Sequence, residues 1–295
     1  MVDSLPPLQI PLKYNVLMSG KTSLKFGGPA SILATASNTT ELKALLGYIK
    51  ANNLPWFLLG RGTNLIVSDV GFKGLVITLG GDFDKIEVSG EQMNCGAGAG
   101  DFAIARRARE ESLTGLEFLS TIPGSLGGAI RMNAGAHGSE IADSCEWIEV
   151  MDLEGEVFKY HPEDLRMGYR TSLLKKMPVV VMRAGLKLAK GALSDIKIKE
   201  DGFKTHRTNS QPTKSNNCGS LFANPEGEAA GRLIDQAGLK GFGLGGFKMS
   251  EKHANFLENI DGQKIDDLAK LVDHVKKRVY ETSGFKLKLE AEILI

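Results

Sequence analysis

The chain has 295 residues, enough for two or three domains with sizeable cores. Its 36 Lys and Arg residues nearly cancel its 35 Asp and Glu residues, leaving a formal net charge of +1. That balance argues against nucleic acid or a membrane surface as a partner, because both usually require a basic face or tail.

Cysteine and histidine usage argues against disulfide and metal sites. The three cysteines are widely separated, and the five histidines lack the i, i+4 spacing of a helical metal site. The N-terminus is not organised like a signal peptide, and no apolar run approaches the ~18 residues of a membrane-spanning helix. We therefore expect a cytoplasmic protein with reduced thiols and no bound metal.

Up to residue 112, the pattern predicts short strands and two helices. An amphipathic helix is predicted over residues 38–53, with Asn38 or Thr39 as its cap, and a second helix over 101–112. Apolar, β-branched runs bounded by turn-forming residues predict strands at 30–37, 55–60, 65–69, 74–80 and 85–90.

The later part of the chain changes character near residue 190. Before that point, residues 146–161 predict a hairpin turning at Glu154 and Gly155, and residues 179–189 predict another strand. After it, the pattern predicts a partly helical segment over 195–212 and two helices stopped by glycine, over 226–238 and 264–284. One alternating strand is predicted to close the chain over 285–295. The sequence thus predicts an α+β protein with a smaller α/β module at its C-terminal end.

Three glycine-rich stretches invite a ligand interpretation. Gly98, Gly100 and Ala103 match G-x-G-x-x-A, but no buried parallel strand follows the helix, so a tight strand-to-helix turn is favoured over a dinucleotide fingerprint. Residues 60–64 form either a phosphate-binding nest of N–H groups or a simple connection. The glycines of residues 120–138 lie among small and apolar residues, which suggests backbone wrapped around a large flat ligand with phosphates, such as a flavin dinucleotide.

The stretch NCGSLFANP, residues 217–225, leaves several interpretations open. Cys218 or Ser220 could be a nucleophile, Ser220 could donate a proton, or the stretch could be an ordinary turn. Arginines among turn-forming residues in GYRTS and HRTNSQP, together with a late acidic strand, begin to resemble a carboxylate-binding and proton-donating site.

The motifs KTSLKFGGPA, LGRGTNLIVSD, GLEFLSTIPGSLGGAIRMNAGAHG, YRTS, RTNSQP, CGSLFANP, AGRLIDQAGLKG, SEKHANFLEN and LEAEI occur in this order. Together they resemble the UDP-N-acetylenolpyruvoylglucosamine reductase family, from about residue 20 to the C-terminus. The short interval between Arg170 and Arg207 resembles the family's short form, which lacks an extra tyrosine-bearing loop.

The resemblance implies a fold and a domain division. The N-terminal part is similar to the two-subdomain FAD-binding fold of the vanillyl-alcohol oxidase (PCMH) type, within an α+β protein. Subdomain 1 would cover residues 1–80 and be joined by the C-terminal strand 285–295, and subdomain 2 would cover 81–190. A C-terminal α/β substrate-binding domain would cover 191–284.

The resemblance also implies the reaction and its catalytic residues. FAD would mediate reduction of UDP-N-acetylglucosamine enolpyruvate to UDP-N-acetylmuramate, with NADPH as co-substrate, for peptidoglycan precursor synthesis. Arg170 and Glu292 would stabilise negative charge on the substrate, and Ser220 would donate the proton. A glutamate can help an enolate in this way only through its acid form.

The same family motifs imply the binding residues. FAD contacts are carried over to Gly60, Arg61, Gly62, Thr63, Asn64, Leu65, Thr121, Ile122, Pro123, Gly124, Ser125, Gly127, Gly128, Asn133, Ala134 and Gly135. Substrate contacts are carried over to Tyr169, Arg207, Gln211, Gly219 and Asn224.

Two departures and two alternatives remain. His137 stands where the family often has Tyr, and Thr63 where it often has Ser, but neither change removes a catalytic group. An FAD-dependent alcohol oxidase of the same fold, or a non-catalytic sugar-nucleotide-binding protein, are the alternative functions. We expect the protein to be a monomer.

Overall fold

The computed structural model describes residues 9–295, and the chain divides into two compact units. Of the described residues, unit 1 contains 9–14, Ile32–Gly60 and Gly74–His206. Unit 2 contains Asn15–Ser31, Arg61–Lys73 and Arg207–Ile295. Unit 2 is therefore assembled from three separate stretches of sequence. The division into three domains implied by the family motifs stays a prediction.

Six α-helices lie in the described residues: α1 Thr39–Ala51, α2 Asp101–Glu110, α3 Leu126–Met132, α4 Leu193–Ser210, α5 Ala230–Gln236 and α6 Ile265–Ser283. The predicted cap of α1 is confirmed, since Asn38 Oδ1 accepts the Glu41 N–H at 2.9 Å. The predicted stop of α6 is also confirmed, since Gly284 adopts the left-handed conformation with φ of 75°.

Helix α3 lies within residues 120–138, where the sequence analysis predicted backbone wrapped around a ligand and did not predict a helix. Its seven residues include Gly127 and Gly128, which are poor helix formers. Gly127 packs closely on the preceding turn, because a Cβ there would lie 3.1 Å from the Cβ of Ala97, closer than most such contacts. Tertiary contact therefore overrides intrinsic propensity in this helix.

The largest sheet of unit 1 is antiparallel, with the strand order Val157–Tyr160, Cys145–Met151, Val180–Lys187, Gln92–Gly96 and Ile86–Ser89. Its first two strands confirm the predicted hairpin, whose turn holds Gly155 with φ of 77°. Two small ladders join Gly135–Ala136 to Ser139–Glu140 and Leu113–Thr114 to Ala189–Lys190. A separate four-stranded sheet has the order Leu12–Leu17, Pro29–Ala36, Phe72–Leu79 and Trp56–Leu58.

Unit 2 contains one antiparallel sheet and two short ladders. The sheet has the order Asn217–Ser220, Phe256–Asn259, Phe247–Met249 and Gly243–Leu244. One ladder pairs Phe222–Ala223 with Lys288–Leu289, and the other pairs Leu65–Val67 in parallel with Glu292–Leu294.

The single closing strand predicted over residues 285–295 is wrong. The chain bends at Glu290 and Ala291, whose N–H groups both point to the carbonyl of Leu221, at 2.9 and 3.4 Å. Two short strands result, each with a different partner. The alternation of apolar residues continues through the bend. It therefore gave no signal that the two halves of the segment pair with different strands.

Each unit has its own apolar core. In unit 1, Leu42, Leu45 and Leu46 of α1 are fully buried in one cluster, and a second cluster lies against the antiparallel sheet. In unit 2, one face of α6 packs with Phe222 and Phe247. No helix within residues 9–295 has the length and apolar character needed to cross a membrane.

Candidate active site

The glycine-rich segment of unit 1 is packed on the turn that precedes α2. Leu126 N–H donates to Ala99 O and Gly127 N–H to Ala97 O, both at 2.9 Å, and Asp101 N–H donates to Gly124 O at 3.1 Å. The motif at Gly98 and Gly100 thus lies in the predicted strand-to-helix turn. Gly98 allows close contact within the protein, since a Cβ there would lie 2.7 Å from the side-chain oxygen Asp84 Oδ1.

The predicted flavin-contacting residues of unit 1 differ in exposure. Thr121 and Ser125 are buried and Gly128 is exposed, while Ile122, Pro123, Gly124, Ala134 and Gly135 are intermediate. The Thr121 hydroxyl donates to Phe118 O at 2.9 Å, which leaves its oxygen as an acceptor. Beside it, Ser120 Oγ is buried and has no hydrogen-bond partner within residues 9–295.

His137 ends this segment in a tight turn. It has φ of 55° and is followed by Gly138 with φ of 83°, which are the values of a two-residue hairpin turn. Its ring stacks on Phe203 of α4, with centroids 4.0 Å apart and an interplanar angle of 2°. The histidine at this position therefore places an aromatic ring in a stacked contact with α4.

Asn133, predicted from the family motif to contact FAD, is fully buried, and its side chain supports the backbone. It ends α3 in the left-handed conformation, with φ of 45°. Its Nδ2 donates to Gly168 O at 3.1 Å, and its Oδ1 accepts the Ala142 N–H at 3.2 Å. The side chain consequently ties the glycine-rich segment to the YRTS turn.

Arg170 lies in that turn, where Gly168 and Thr171 exchange two backbone hydrogen bonds of 3.0 and 3.1 Å. Its φ of 55° is unusual for a residue other than glycine, and such strain is concentrated at functional sites. The guanidinium Nη2 donates to Gly135 O at 2.6 Å, and Cζ lies over the ring of Tyr169, 4.9 Å from its centroid. Tyr169 itself is exposed.

In unit 2, residues 61–64 form a loop that requires glycine. Gly62 has φ of 65°, and a Cβ there would lie 2.2 Å from Lys21 O. Its carbonyl accepts the Ser23 N–H at 3.0 Å, which joins the loop to the KTSLKFGG motif. Arg61 is exposed and Thr63 is intermediate. Gly60, the remaining glycine of the motif, belongs to unit 1 and is exposed.

Asn64 connects the flavin motif to the chain segment that carries Glu292. The Asn64 side chain donates through Nδ2 to Glu290 O at 3.2 Å. Its own carbonyl accepts the Glu292 N–H at 3.0 Å, and Leu65 pairs directly with Glu292. Asn64 and Leu65, both predicted to contact FAD, thereby hold the backbone of a predicted catalytic residue.

Ser220 is held in the same backbone frame. It ends a strand opposite Phe256, directly after Gly219, whose φ is 76°. The next residue, Leu221, donates its N–H to Asn255 O at 2.8 Å and accepts the Glu290 N–H at 2.9 Å. Only short, hydrogen-bonded segments therefore separate Ser220 from Glu292. Of the three predicted catalytic residues, these two lie in unit 2 and Arg170 lies in unit 1.

The buried carboxamide of Asn255 supports the frame from the other side. Its Oδ1 accepts the Phe222 N–H at 3.0 Å, and its Nδ2 donates to Phe222 O at 2.7 Å. The sequence analysis missed this residue. No local signal marks it, because its partner lies 33 positions away in the chain.

Cys218 is excluded as a nucleophile. Its side chain is fully buried, and burial raises the pKa of the thiol to about 12. A thiol with that pKa is protonated at neutral pH, and the thiolate is the reactive form.

The predicted substrate residues of unit 2 have different surroundings. Burial lowers the pKa of Arg207, and no described residue forms an ion pair or hydrogen bond with its guanidinium. Gln211 Oε1 is likewise buried without a partner among the described residues. Asn224 is exposed, and its Oδ1 accepts the Ala230 N–H at 2.9 Å, at the start of α5. The Arg207 guanidinium and Gln211 Oε1 can therefore still bind a substrate group, whereas Asn224 Oδ1 already accepts a hydrogen bond from the protein.

Comparisons with known proteins cover nearly the whole chain. Residues 211–294 match the model of the UDP-N-acetylenolpyruvoylglucosamine reductase C-terminal domain, and residues 30–160 match that of an FAD-binding domain. The reductase of that name from Caldanaerobacter subterraneus is 40% identical over 96% of this chain and 93% of its own length. The Bacillus subtilis one is 39% identical over 95% and 93%.

Solved structures agree with the sequence relatives. The crystal structure of UDP-N-acetylenolpyruvylglucosamine reductase from Thermus caldophilus is similar with a TM-score of 0.83 and 36% identity. The similarity covers 97% of this chain and 99% of that one. The predicted α+β fold, with an FAD-binding part and a C-terminal reductase domain, is confirmed.

Proposed function

This chain belongs to the UDP-N-acetylenolpyruvoylglucosamine reductase family, and we propose that Arg170, Ser220 and Glu292 are its catalytic residues. The protein is an oxidoreductase that uses FAD as cofactor and NADPH as co-substrate. It reduces UDP-N-acetylglucosamine enolpyruvate to UDP-N-acetylmuramate for peptidoglycan precursors.

The residues fit a bound flavin dinucleotide. The buried, unpartnered hydroxyl of Ser120 offers a hydrogen bond that no described side chain or backbone group uses. At Gly128, a Cβ would meet only Ser125 Oγ, at 3.6 Å, so the surface of this glycine is open to a ligand. We propose that FAD is held by the predicted residues of segments 60–65 and 121–135, with Asn64 and Asn133 contributing chiefly through the backbone they fix.

The chemistry requires charge stabilisation and a proton donor. When bound, FAD would supply the hydride chemistry, between NADPH and the terminal carbon of the substrate's enol ether. Negative charge then develops on the adjacent carbon and spreads into the carboxylate, where the Arg170 guanidinium would stabilise it. The Ser220 hydroxyl would give its proton to that carbon, forming the new C–H bond, and would regain a proton from solvent.

Glu292 would assist by stabilising the developing charge or polarising the substrate, the role that the family motif implies. A neutral hydroxyl such as that of Ser220 is a weak acid, but the enolate carbon is a strong base. A fixed neutral donor is therefore sufficient here. The single observation that carries this assignment is the hydrogen-bonded frame through Leu221, Glu290 and Asn64, which holds Ser220 and Glu292 together.

The same proposal covers the other binding residues and the setting. Tyr169, Arg207, Gln211, Gly219 and Asn224 would contact the sugar nucleotide; the unpaired Arg207 guanidinium suits an anionic group of that substrate. We propose a cytoplasmic monomer that binds neither nucleic acid nor membrane, with FAD subdomains at 1–80 plus 285–295 and at 81–190, and a substrate domain at 191–284.

Separate half-reactions test the assignment of Ser220. Ser220→Ala should leave flavin reduction by NADPH within about twofold of wild type, because no proton donor is needed there. Reoxidation of the reduced enzyme by the enolpyruvyl sugar nucleotide should slow by about 10²–10⁴-fold, the usual contribution of a general acid. Stopped-flow absorbance of the flavin measures both rates.

Cys218→Ala is the matched control for that experiment, since it removes a neighbouring sulfur that contacts no substrate in this proposal. It should leave both half-reactions near wild type. Equal losses in both half-reactions of Ser220→Ala would count against Ser220 as the acid. If an alcohol reduced the flavin in place of NADPH, the protein would be the alternative alcohol oxidase. If no flavin chemistry were observed, it would be the alternative sugar-nucleotide-binding protein.

A further inference from the structure

We propose that Asn217 is a positioning residue for Ser220, and that the two ends of its carboxamide have separable tasks. Oδ1 fixes the turn that orients the Ser220 hydroxyl, and Nδ2 fixes the loop that follows Gln211. This inference rests on the proposed role of Ser220 as proton donor. Asn217 is not among the site residues carried over from the family. It would act indirectly, through the backbone of neighbouring residues.

The acceptor end acts on the residue next to Ser220. Asn217 Oδ1 accepts the Gly219 N–H at 3.0 Å. Gly219 has φ of 76°, a conformation that needs glycine or a local hydrogen bond to hold it. The hydrogen bond therefore selects the backbone conformation from which the Ser220 side chain projects.

The strand register shows why this conformation decides the direction of Ser220. Asn217 pairs with Glu258 and Ser220 pairs with Phe256, so Cys218 and Gly219 together face the single residue between those partners. This is a β-bulge, and bulges re-aim the side chains beside them. Without the bulge, alternation would place residue 220 on the opposite face of the sheet.

The donor end acts on a different segment. Asn217 Nδ2 donates to Pro212 O at 2.8 Å and to Ser215 O at 3.0 Å. The two carbonyl oxygens can only accept, and the Gly219 N–H can only donate. These three groups therefore determine which end of the Asn217 carboxamide is oxygen and which is nitrogen. Pro212 directly follows Gln211, a predicted substrate contact, and Nδ2 thereby holds the loop at its start and near its end.

The main chain of Asn217 is anchored independently of its side chain. Ser23 Oγ donates to Asn217 O at 2.6 Å, and Ser23 N–H donates to Gly62 O at 3.0 Å. Strand pairing with Glu258 adds a second attachment. A change confined to the carboxamide should consequently disturb the bulge and the loop, while the strand itself stays in register.

Two substitutions separate the two tasks. Asn217→Asp keeps an oxygen for the Gly219 N–H but replaces the donor with a second acceptor, which repels Pro212 O and Ser215 O. Asn217→Ala removes both ends. We expect Asn217→Asp to raise the substrate KM about 10-fold with kcat within about threefold of wild type, as lost loop contacts predict. Asn217→Ala should also slow reoxidation by substrate about 10–100-fold, with flavin reduction by NADPH unchanged.

The outcomes distinguish this inference from the proposed function. If Asn217→Ala reoxidises at the wild-type rate while Ser220→Ala does not, the positioning role is overturned and the acid assignment stands. If Ser220→Ala reoxidises normally, the proposed function fails first. Loss of both half-reactions in Asn217→Ala would reveal a general structural role and would overturn the inference. Should Asn217→Ala not fold, Asn217→Asp decides, and a fall in kcat without a rise in KM would contradict it.

Discussion

At the scale of single residues, position 218 and position 220 show how burial assigns chemical roles. Cysteine is intrinsically the better nucleophile, and both residues lie in one short motif. Yet the Cys218 thiol is fully buried, and burial raises its pKa to about 12, whereas Ser220 is partly exposed at the end of its strand. The less reactive side chain is therefore the one available to a substrate.

Chemical modification should reveal the inertness of Cys218. With a pKa of about 12, the thiolate fraction at pH 8 is about 10⁻⁴, so iodoacetamide should not alkylate Cys218 in the native protein over hours. Peptide mass spectrometry checks this, with the same protein unfolded in guanidinium as the positive control. Rapid alkylation of native Cys218 that also abolishes activity would contradict its assignment as a packing residue.

At the scale of elements, α6 is capped by a residue from a distant part of the chain. The position before α6 is Lys264, whose side chain cannot accept a hydrogen bond from the helix. Asp69 of the LIVSD motif supplies the acceptor instead, since its Oδ1 accepts the Ile265 N–H at 2.8 Å and its Oδ2 lies 3.3 Å from Lys264 Nζ. The helix start is consequently fixed by a tertiary contact within unit 2.

Removal of this cap should destabilise the protein in a pH-dependent manner. Asp69→Ala should cost about 1 kcal/mol at pH 7, or on the order of 2 °C in Tm, as for other helix caps. The backbone N–H of Ile265 is the main cause that holds the pKa of Asp69 below its ordinary 3.8; burial opposes it and Lys264 adds to it. A lowered folded-state pKa contributes stability above about pH 4 that is lost as pH falls through the folded pKa.

The difference in Tm between wild type and Asp69→Ala should therefore be constant from pH 7 to about pH 5 and shrink below pH 4. Calorimetry across this range measures it. Asp273→Ala removes an exposed carboxylate from the same helix and should change stability by less than about 0.5 kcal/mol. A difference that grows on acidification would show that the cap does not depend on the carboxylate charge.

At the scale of the whole molecule, the matched domain models do not coincide with the compact units. The C-terminal domain model covers residues 211–294, but unit 2 also needs Asn15–Ser31 and Arg61–Lys73. Those stretches contribute Leu24, Phe26 and Ile66 to the core of unit 2, and Leu65–Val67 is the partner strand of Glu292–Leu294. The family domain is therefore not a complete folding unit by itself.

Expressed alone, residues 211–294 should not fold. Loss of three core side chains and of the Asp69 cap removes several kcal/mol, against the 5–15 kcal/mol stability of an ordinary domain. Far-UV circular dichroism and amide NMR dispersion of the fragment, beside the full chain under the same conditions, measure the outcome. A cooperative melting transition in the isolated fragment would contradict this view of unit 2.

Much of the fold could be predicted because the signals are local. The periodicity and terminal glycine of α6, the cap of α1 and the turn of the 146–161 hairpin each lie within a few residues of what they determine. The residue pattern raised Ser220 as one possible proton donor among several interpretations and residues 120–138 as a flavin-binding stretch. Individual catalytic and flavin-binding roles could be proposed only because the motifs resemble a family.

The remaining features depend on partners far away in sequence. The break of the closing strand is set by Leu221, and the short helix α3 is set by contact with Ala97. The side chains of Asn133 and Asn255 hold backbone groups of distant segments. Pattern and propensity contain no information on such pairs, so these elements and supports became visible only in three dimensions.

The double attachment of Asn64 has a practical consequence for protein engineering. Asn64 belongs to the loop proposed to contact FAD, yet its side chain and its carbonyl hold the backbone of residues 290 and 292. Libraries designed to change cofactor preference would naturally randomise residues 61–65. Variation at position 64 would then alter two properties at once, and selection for a new cofactor would discard variants whose acid chemistry, rather than cofactor affinity, had failed. Such libraries should keep Asn64 and vary its neighbours.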